Sequence, residues 1–144
     1  MTLVQFYTMI DEEPASRWRL AGKLVEKANQ LGHATYIHVN DAQDAESLSQ
    51  ALWAFKPESF LAHGFLSEGR HERVQIGWGA EHGAHHDIML QLSDTIPEFF
   101  SRFNKVIELS CQHPELLNTS RLHYRYYQDR GYKIKHIPLK TSMS

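Results

Sequence analysis

The sequence carries a single cysteine, Cys111, among 144 residues. No disulfide can form within the chain, and a lone thiol suits a reducing cytoplasm. Long apolar runs are missing too, and none approaches the ~20 residues that a membrane-spanning helix needs. A basic-then-apolar leader is also missing, because Asp11, Glu12 and Glu13 follow the first short apolar stretch. The expectation is a soluble, cytoplasmic protein without membrane contact. Excess charge is small: 15 Lys and Arg face 17 Asp and Glu, a formal net charge of -2. Nothing therefore draws the whole molecule to nucleic acid. Glycine is lacking in the acidic turn at residues 10–14 (IDEEP). Neither a dinucleotide-binding loop nor a Walker-type phosphate loop can form there. Gly77, Gly79 and Gly83 lie close together, but no helix pattern follows and their spacing misses the fingerprint.

Hydrophobic residues make up 42% and charged residues 22% of the chain, the balance of an ordinary globular domain. At this length one domain can bury about two-thirds of its unfolded surface without cross-links. The domain is expected over residues 1–138, with a loose tail at 139–144. Residues 3–9 (LVQFYTM) read as a first strand. A helix is expected from Pro14 to about Leu31, with Trp18, Ala21, Leu24, Val25 and Ala28 on one stripe and Gly32 at its end. Residues 34–39 (ATYIHV) read as a second strand, and Asn40 or Asp41 as the cap of a second helix carrying Leu48, Leu52 and Phe55. Strand, helix, strand, helix at this spacing argues for a parallel α/β sheet. Three short strands are expected at 59–63, 73–78 and 87–92, then a short helix at 95–103 with Ile96, Phe99, Phe100 and Phe103 inward. A buried strand at 105–110 (KVIELS), a helix at 114–131 and a last strand near 132–137 complete the chain.

Catalytic signatures are scarce. His82, His85 and His86, with Glu81 and Asp87, offer suitable metal-ligand types. They fall in a loop with nothing to fix their geometry, so a solvated hairpin loop is the better account and no metal or other cofactor is expected. Cys111 and His113 could pair as nucleophile and base, but no orienting acid is evident, and a small buried cysteine at a strand end fits better. There is no nucleophile elbow, paired-carboxylate motif or metalloprotease helix. The chain reads as a non-enzyme.

Two surfaces stand out instead. In the 114–131 helix, Pro114 suits the first turn and Gly131 suits its end. Leu116, Ser120, His123 and Tyr127 fall on one side, with Leu122 and Tyr126 beside them, as a core-facing set. Leu117, Arg121, Tyr124, Arg125 and Gln128 fall on the other. From Arg121 to Lys140 there are six Lys and Arg against one acid, Asp129, so this end is a local positive patch in an otherwise acidic molecule. Two guanidiniums flanking a tyrosine suit an acidic peptide or a nucleic-acid strand. The second surface is apolar: Trp53 and Phe55, then Pro57, Phe60 and Leu61, more large groups than one helix turn can bury.

Taken in order, the FY-bearing first strand, ALWAFKPESFLAH, VQIGW, DIMLQLS, IPEFFSRFNKVIEL and RLHYRYYQDRGY resemble the chi subunit of the bacterial DNA polymerase III holoenzyme. The likeness runs from about Leu3 to Tyr132. It implies a three-layer α/β/α fold with a mostly parallel (mixed) central sheet, Rossmann-like but without a nucleotide-binding loop. It also implies a non-catalytic connector in the clamp-loader assembly of the bacterial replisome. One surface of that family binds the psi subunit, at positions corresponding to Trp53, Pro57, Phe60 and Leu61. Another binds the acidic C-terminal tail of single-stranded DNA-binding protein, which ends in a phenylalanine with a free carboxylate. Those positions correspond to Arg121, Tyr124, Arg125 and Gln128. The psi-side patch is open to a second partner such as a helicase. The chain departs from the family pattern at Lys56, where a proline is expected, and at Gln128, where a basic residue is expected; Lys133 or Lys135 can restore that charge. No tight direct DNA binding is expected. The alternative is a direct single-stranded nucleic-acid-binding module, with the arginines on phosphates and Tyr124, Tyr126 and Tyr132 for stacking.

Overall fold

A computed structural model describes residues 1–54, 63–65, 73–79 and 83–140. The order of elements is β1 (Leu3–Thr8), α1 (Ser16–Gln30), β2 (Thr35–His38), α2 (Ala42–Ala54), β3 (His63–Phe65), β4 (Val74–Gly77), β5 (Ile88–Gln91), a 3-10 helix (Glu98–Arg102), β6 (Lys105–Ser110), α3 (Pro114–Asp129) and β7 (Ile134–Pro138). The seven strands form one sheet in the order β3-β4-β2-β5-β6-β1-β7, and every pairing is parallel. Parallel strands need helical crossovers, and these cover both faces of the sheet.

Strand alternation sorts the core into two layers. Ile37, Ile76, Ile88, Leu90, Ile107 and Leu109 face α1 and α2, meeting Leu20, Val25, Leu48 and Leu52. Val4, Phe6, Tyr36, Met89 and Val106 face the other way, against Phe99, Phe100 and Phe103 of the 3-10 segment and Tyr127 of α3. The result is the expected three-layer α/β/α arrangement. Asp41 is the cap of α2, its carboxylate accepting the Asp44 backbone N–H at 2.9 Å, which resolves the choice between Asn40 and Asp41.

The elements depart from expectation where local chemistry is mixed. The 95–103 segment folds as a short 3-10 helix, because Pro97 holds an extended backbone (φ -68°, ψ 145°) immediately before it. Its inward set is nevertheless the one expected. The first middle strand lies at His63–Phe65, later than 59–63; residues 59–62 lie outside those described. On α3, Leu122 is 58% exposed rather than packed beside the core. The last strand continues through Pro138, and the Leu139 N–H donates to the Thr8 carbonyl at 2.9 Å.

Gly77 closes β4 on the α3 side of the sheet, where Tyr36 lies fully buried. A Cβ there would fall 2.6 Å from the Tyr36 hydroxyl and 2.8 Å from its ring. That hydroxyl is already held 2.8 Å from His38 Nδ1, so it cannot easily move away. Gly77→Ala is expected to cost about 1–3 kcal/mol, seen as a lower urea midpoint at unchanged slope. An unchanged midpoint would refute this close approach.

Candidate protein-binding surface

The surface on α3 exists because that helix is held at both ends and from beneath. Pro114 occupies its first turn, His113 before it is extended, and Glu115 lies near the positive end. Gly131, at φ 78°, takes the left-handed turn beyond the other end. From beneath, Glu108 of β6 is buried at 5% exposure. One carboxylate oxygen lies 3.0 Å from His123 Nδ1, and the other accepts the Tyr127 hydroxyl at 2.7 Å. His123 Nε2 lies 2.8 Å from the Asp94 carbonyl.

Both ring nitrogens of His123 thus face acceptors, a geometry satisfied by the doubly protonated imidazolium. Burial disfavours that charge, yet the hydrogen bond and negative charge of Glu108, helped by Asp94, outweigh it and raise the His123 pKa above its ordinary value. Burial, then the neighbouring Glu108 charge, pushes the Tyr127 phenol upward, so it stays a donor. Helical spacing turns His123 and Tyr127 inward but gives neither a polar partner. The missed signal was Glu108 itself: an acid within an apolar strand needs donors, and the next helix supplies them.

With α3 fixed, its other flank meets β1 and β7 across an open groove of about 370 Å³, lined by Phe6, Thr8, Leu117, Ser120, Arg121, Tyr124 and His136. Tyr124 is 40% exposed and leans on Phe6, ring centroids 5.4 Å apart. On the strand side, Thr8 Oγ1 and His136 Nε2 are 2.8 Å apart. Phe6, Leu117 and Tyr124 give the groove an apolar floor, and Arg121 gives it a cationic wall without a carboxylate in the lining. Arg121 and Tyr124 therefore share this groove. Arg125 and Gln128 are exposed along the same helix but do not line it. The strand-side residues were not foreseen as site residues.

The other surface is partly in view. Trp53 is 49% exposed near the end of α2, in the layer opposite α3. Pro57, Phe60 and Leu61, like Phe55 and Lys56, lie outside the described residues. Among the described residues, no group of three or more His, Cys, Asp or Glu side chains is placed to hold a metal; Glu81 and His82 lie outside them. Cys111 is fully buried, and burial, as the largest influence, pushes its thiol pKa up, the opposite of what an activated nucleophile needs. Among the described residues, no helix is long and apolar enough to cross a membrane.

Fold and surface together define an α/β scaffold that presents an open side-chain groove on α3. Comparison with known proteins gives the class a name: residues 1–135 match the family described as DNA polymerase III chi subunit, HolC. The chain belongs to that family, an accessory, non-catalytic subunit class of a DNA-replicating polymerase. It is 32% identical over 135 residues to the DNA polymerase III subunit chi of Pseudomonas aeruginosa, covering 94% of this chain and 95% of that protein. It is 28% identical over 129 residues to the same-named subunit of Escherichia coli (strain K12), covering 88% and 80%.

The His123–Glu108 contact carries a pH prediction. A folded pKa raised above the unfolded value contributes stability that is complete below the unfolded pKa, about 6.5. The contribution is then lost as pH rises through the raised folded value. The thermal midpoint is expected to fall across that window. His123→Leu should cost about 3–5 kcal/mol by stranding Glu108 and should flatten the fall. A wild-type midpoint that rose across the window would contradict the protonated contact.

Proposed function

We propose that the chain is a non-catalytic adaptor that joins the psi subunit to the acidic C-terminal tail of single-stranded DNA-binding protein. The observation that carries the tail assignment is the α3 groove, with its aromatic and leucine floor, Arg121 wall and carboxylate-free lining. Its apolar floor suits an aromatic side chain, and Arg121 stands beside it for the terminal carboxylate. Arg125, one turn further along α3 and exposed, is placed for the acidic residues that precede the terminal phenylalanine. Gln128 follows it on the same stripe and contributes a polar contact without charge. The psi subunit is assigned to the patch of Trp53, Pro57, Phe60 and Leu61, where an exposed tryptophan is a natural anchor.

Direct recognition of a nucleic-acid strand fits the same surface less well. Tyr126 is covered by the Arg130 guanidinium, 3.5 Å from the ring centroid. Tyr132 packs edge-on to Phe100, with centroids 5.2 Å apart. Of the three tyrosines considered for stacking, Tyr124 is the one with a large exposed face.

Calorimetric titration with a tail peptide tests the assignment. Saturable binding should weaken by about tenfold or more in Arg121→Ala, Tyr124→Ala and Arg125→Ala. It should vanish when the terminal phenylalanine is removed, and fall as salt rises. Binding that ignored both salt and these substitutions would contradict the mechanism. Tight binding of bare single-stranded DNA at moderate salt would favour the nucleic-acid reading instead.

A further inference from the structure

The layer that α1 belongs to covers β1 and β7 only in part. α1 packs against β2 and β6, whereas β1 and β7 close the sheet at one edge. Towards α3, β1 buries Val4 and Phe6. Towards α1 the same strand leaves Leu3 49% exposed and Gln5 and Tyr7 half-buried. The parallel register sets Lys135 beside Gln5 and Ile137 beside Tyr7, and paired residues share a side of the sheet. Lys135 is exposed and Ile137 half-buried.

This surface is apolar with a basic rim. Leu31, just beyond α1 and 65% exposed, borders it and adds to Leu3 and Ile137. Lys27 of α1 and Lys105 at the start of β6 line the gap between α1 and Tyr7, and Lys105 pairs with Leu3 in register. No Asp or Glu occurs in β1 or β7, and no carboxylate belongs to the lining of that gap. Glu26, the one acid of α1, falls about 200° round the helix from Leu24. Among the described residues Lys27, Lys105 and Lys135 have no ion-pair partner.

The dimensions are those of one helix. Two neighbouring strands span about 10 Å, the diameter of an α-helix. The six residues of β1 extend about 20 Å, the length of about 13 helical residues. A nucleic-acid strand would need aromatic faces for its bases, and Tyr7, the one aromatic side chain on this side of β1 and β7, is half-buried. We propose that this side of β1 and β7 docks one amphipathic helix of a partner protein, with an apolar stripe flanked by Asp and Glu. The stripe covers Leu3, Leu31 and Ile137. The acids meet Lys27, Lys105 and Lys135 at the rim, where water still reaches them. Docked there, the helix completes the outer layer over the sheet edge. None of these residues belongs to the α3 groove or the Trp53 patch, so the surface stands independently of the adaptor reading.

Photo-cross-linking in native cells tests it, with p-benzoylphenylalanine in place of Leu3 in the full chain. The expected product joins this chain to one protein, at a residue on the apolar stripe of a helix with Asp or Glu on its flanks. A synthetic peptide of that helix should bind the purified chain saturably. Binding should weaken about tenfold or more when Lys27→Glu and Lys135→Glu are combined, and should fall as salt rises. Leu31→Ser should weaken it too, whereas Arg102→Glu, on the α3 side of the sheet, should not. All four positions are exposed, so the thermal midpoints should stay at the wild-type value. No cross-linked product, a product with nucleic acid or with a second copy of this chain, or binding that ignores the charge reversals would each overturn the proposal.

Discussion

Glu108 lies in the middle of a parallel strand, buried on both sides, where an unpaired carboxylate would be untenable. Its two oxygens take one contact each from His123 and Tyr127, successive inward positions one turn apart on α3. That arrangement does more than satisfy an acid. It fixes the rotation and height of α3 over β6, because a helix turned by one residue would carry both donors away from the carboxylate. The angular position of Arg121 and Tyr124 follows from it, since they stand beside His123 and Tyr127 on the same turns. The aromatic packing of Tyr127 against Phe6 and Phe100, at 5.9 and 5.3 Å between centroids, supports the same placement. Apolar packing alone tolerates small rotations; a two-pronged polar contact does not.

The topology then decides what that helix faces. The crossover from β6 through α3 to β7 passes over β1, which lies between the two strands in the sheet. The groove therefore has α3 on one side and the β1–β7 edge on the other, joining Phe6 and Thr8 near the start of the chain to His136 near its end. The α2 end that carries Trp53 lies in the opposite layer and towards the other side of the sheet, where β2 and β4 pair. An adaptor needs two surfaces that can be filled together, and a three-layer fold separates them by its own thickness. Linking partners in this way raises the local concentration of one at the other without any new contact between them.

Much of this was legible in the sequence, and the gaps have physical causes. Helical spacing separated the Arg121, Tyr124, Arg125 stripe from the His123, Tyr127 stripe, because a 3.6-residue period is a local property. The strand KVIELS was bounded correctly, since β-branched residues and a following Pro114 leave few alternatives. The groove's strand side was not legible. Thr8 and His136 are 128 residues apart, and only the strand order brings them together. Leu122 defeated the wheel because it lies at the edge of the inward arc, where a small shift decides between core and solvent. Pro97 shortened the expected helix for a reason visible beforehand, since the residue before a proline avoids helical geometry.

The central proposal is that two partners can bind opposite faces of this sheet independently. The most direct measurement is the affinity of the acidic tail peptide for the chain alone and for its complex with the psi subunit. The account predicts the same affinity in both and a stable three-component species, with Arg121→Ala removing the peptide alone and Trp53→Ala weakening the psi subunit alone. Displacement of the peptide by the psi subunit, or loss of both partners in either variant, would contradict it.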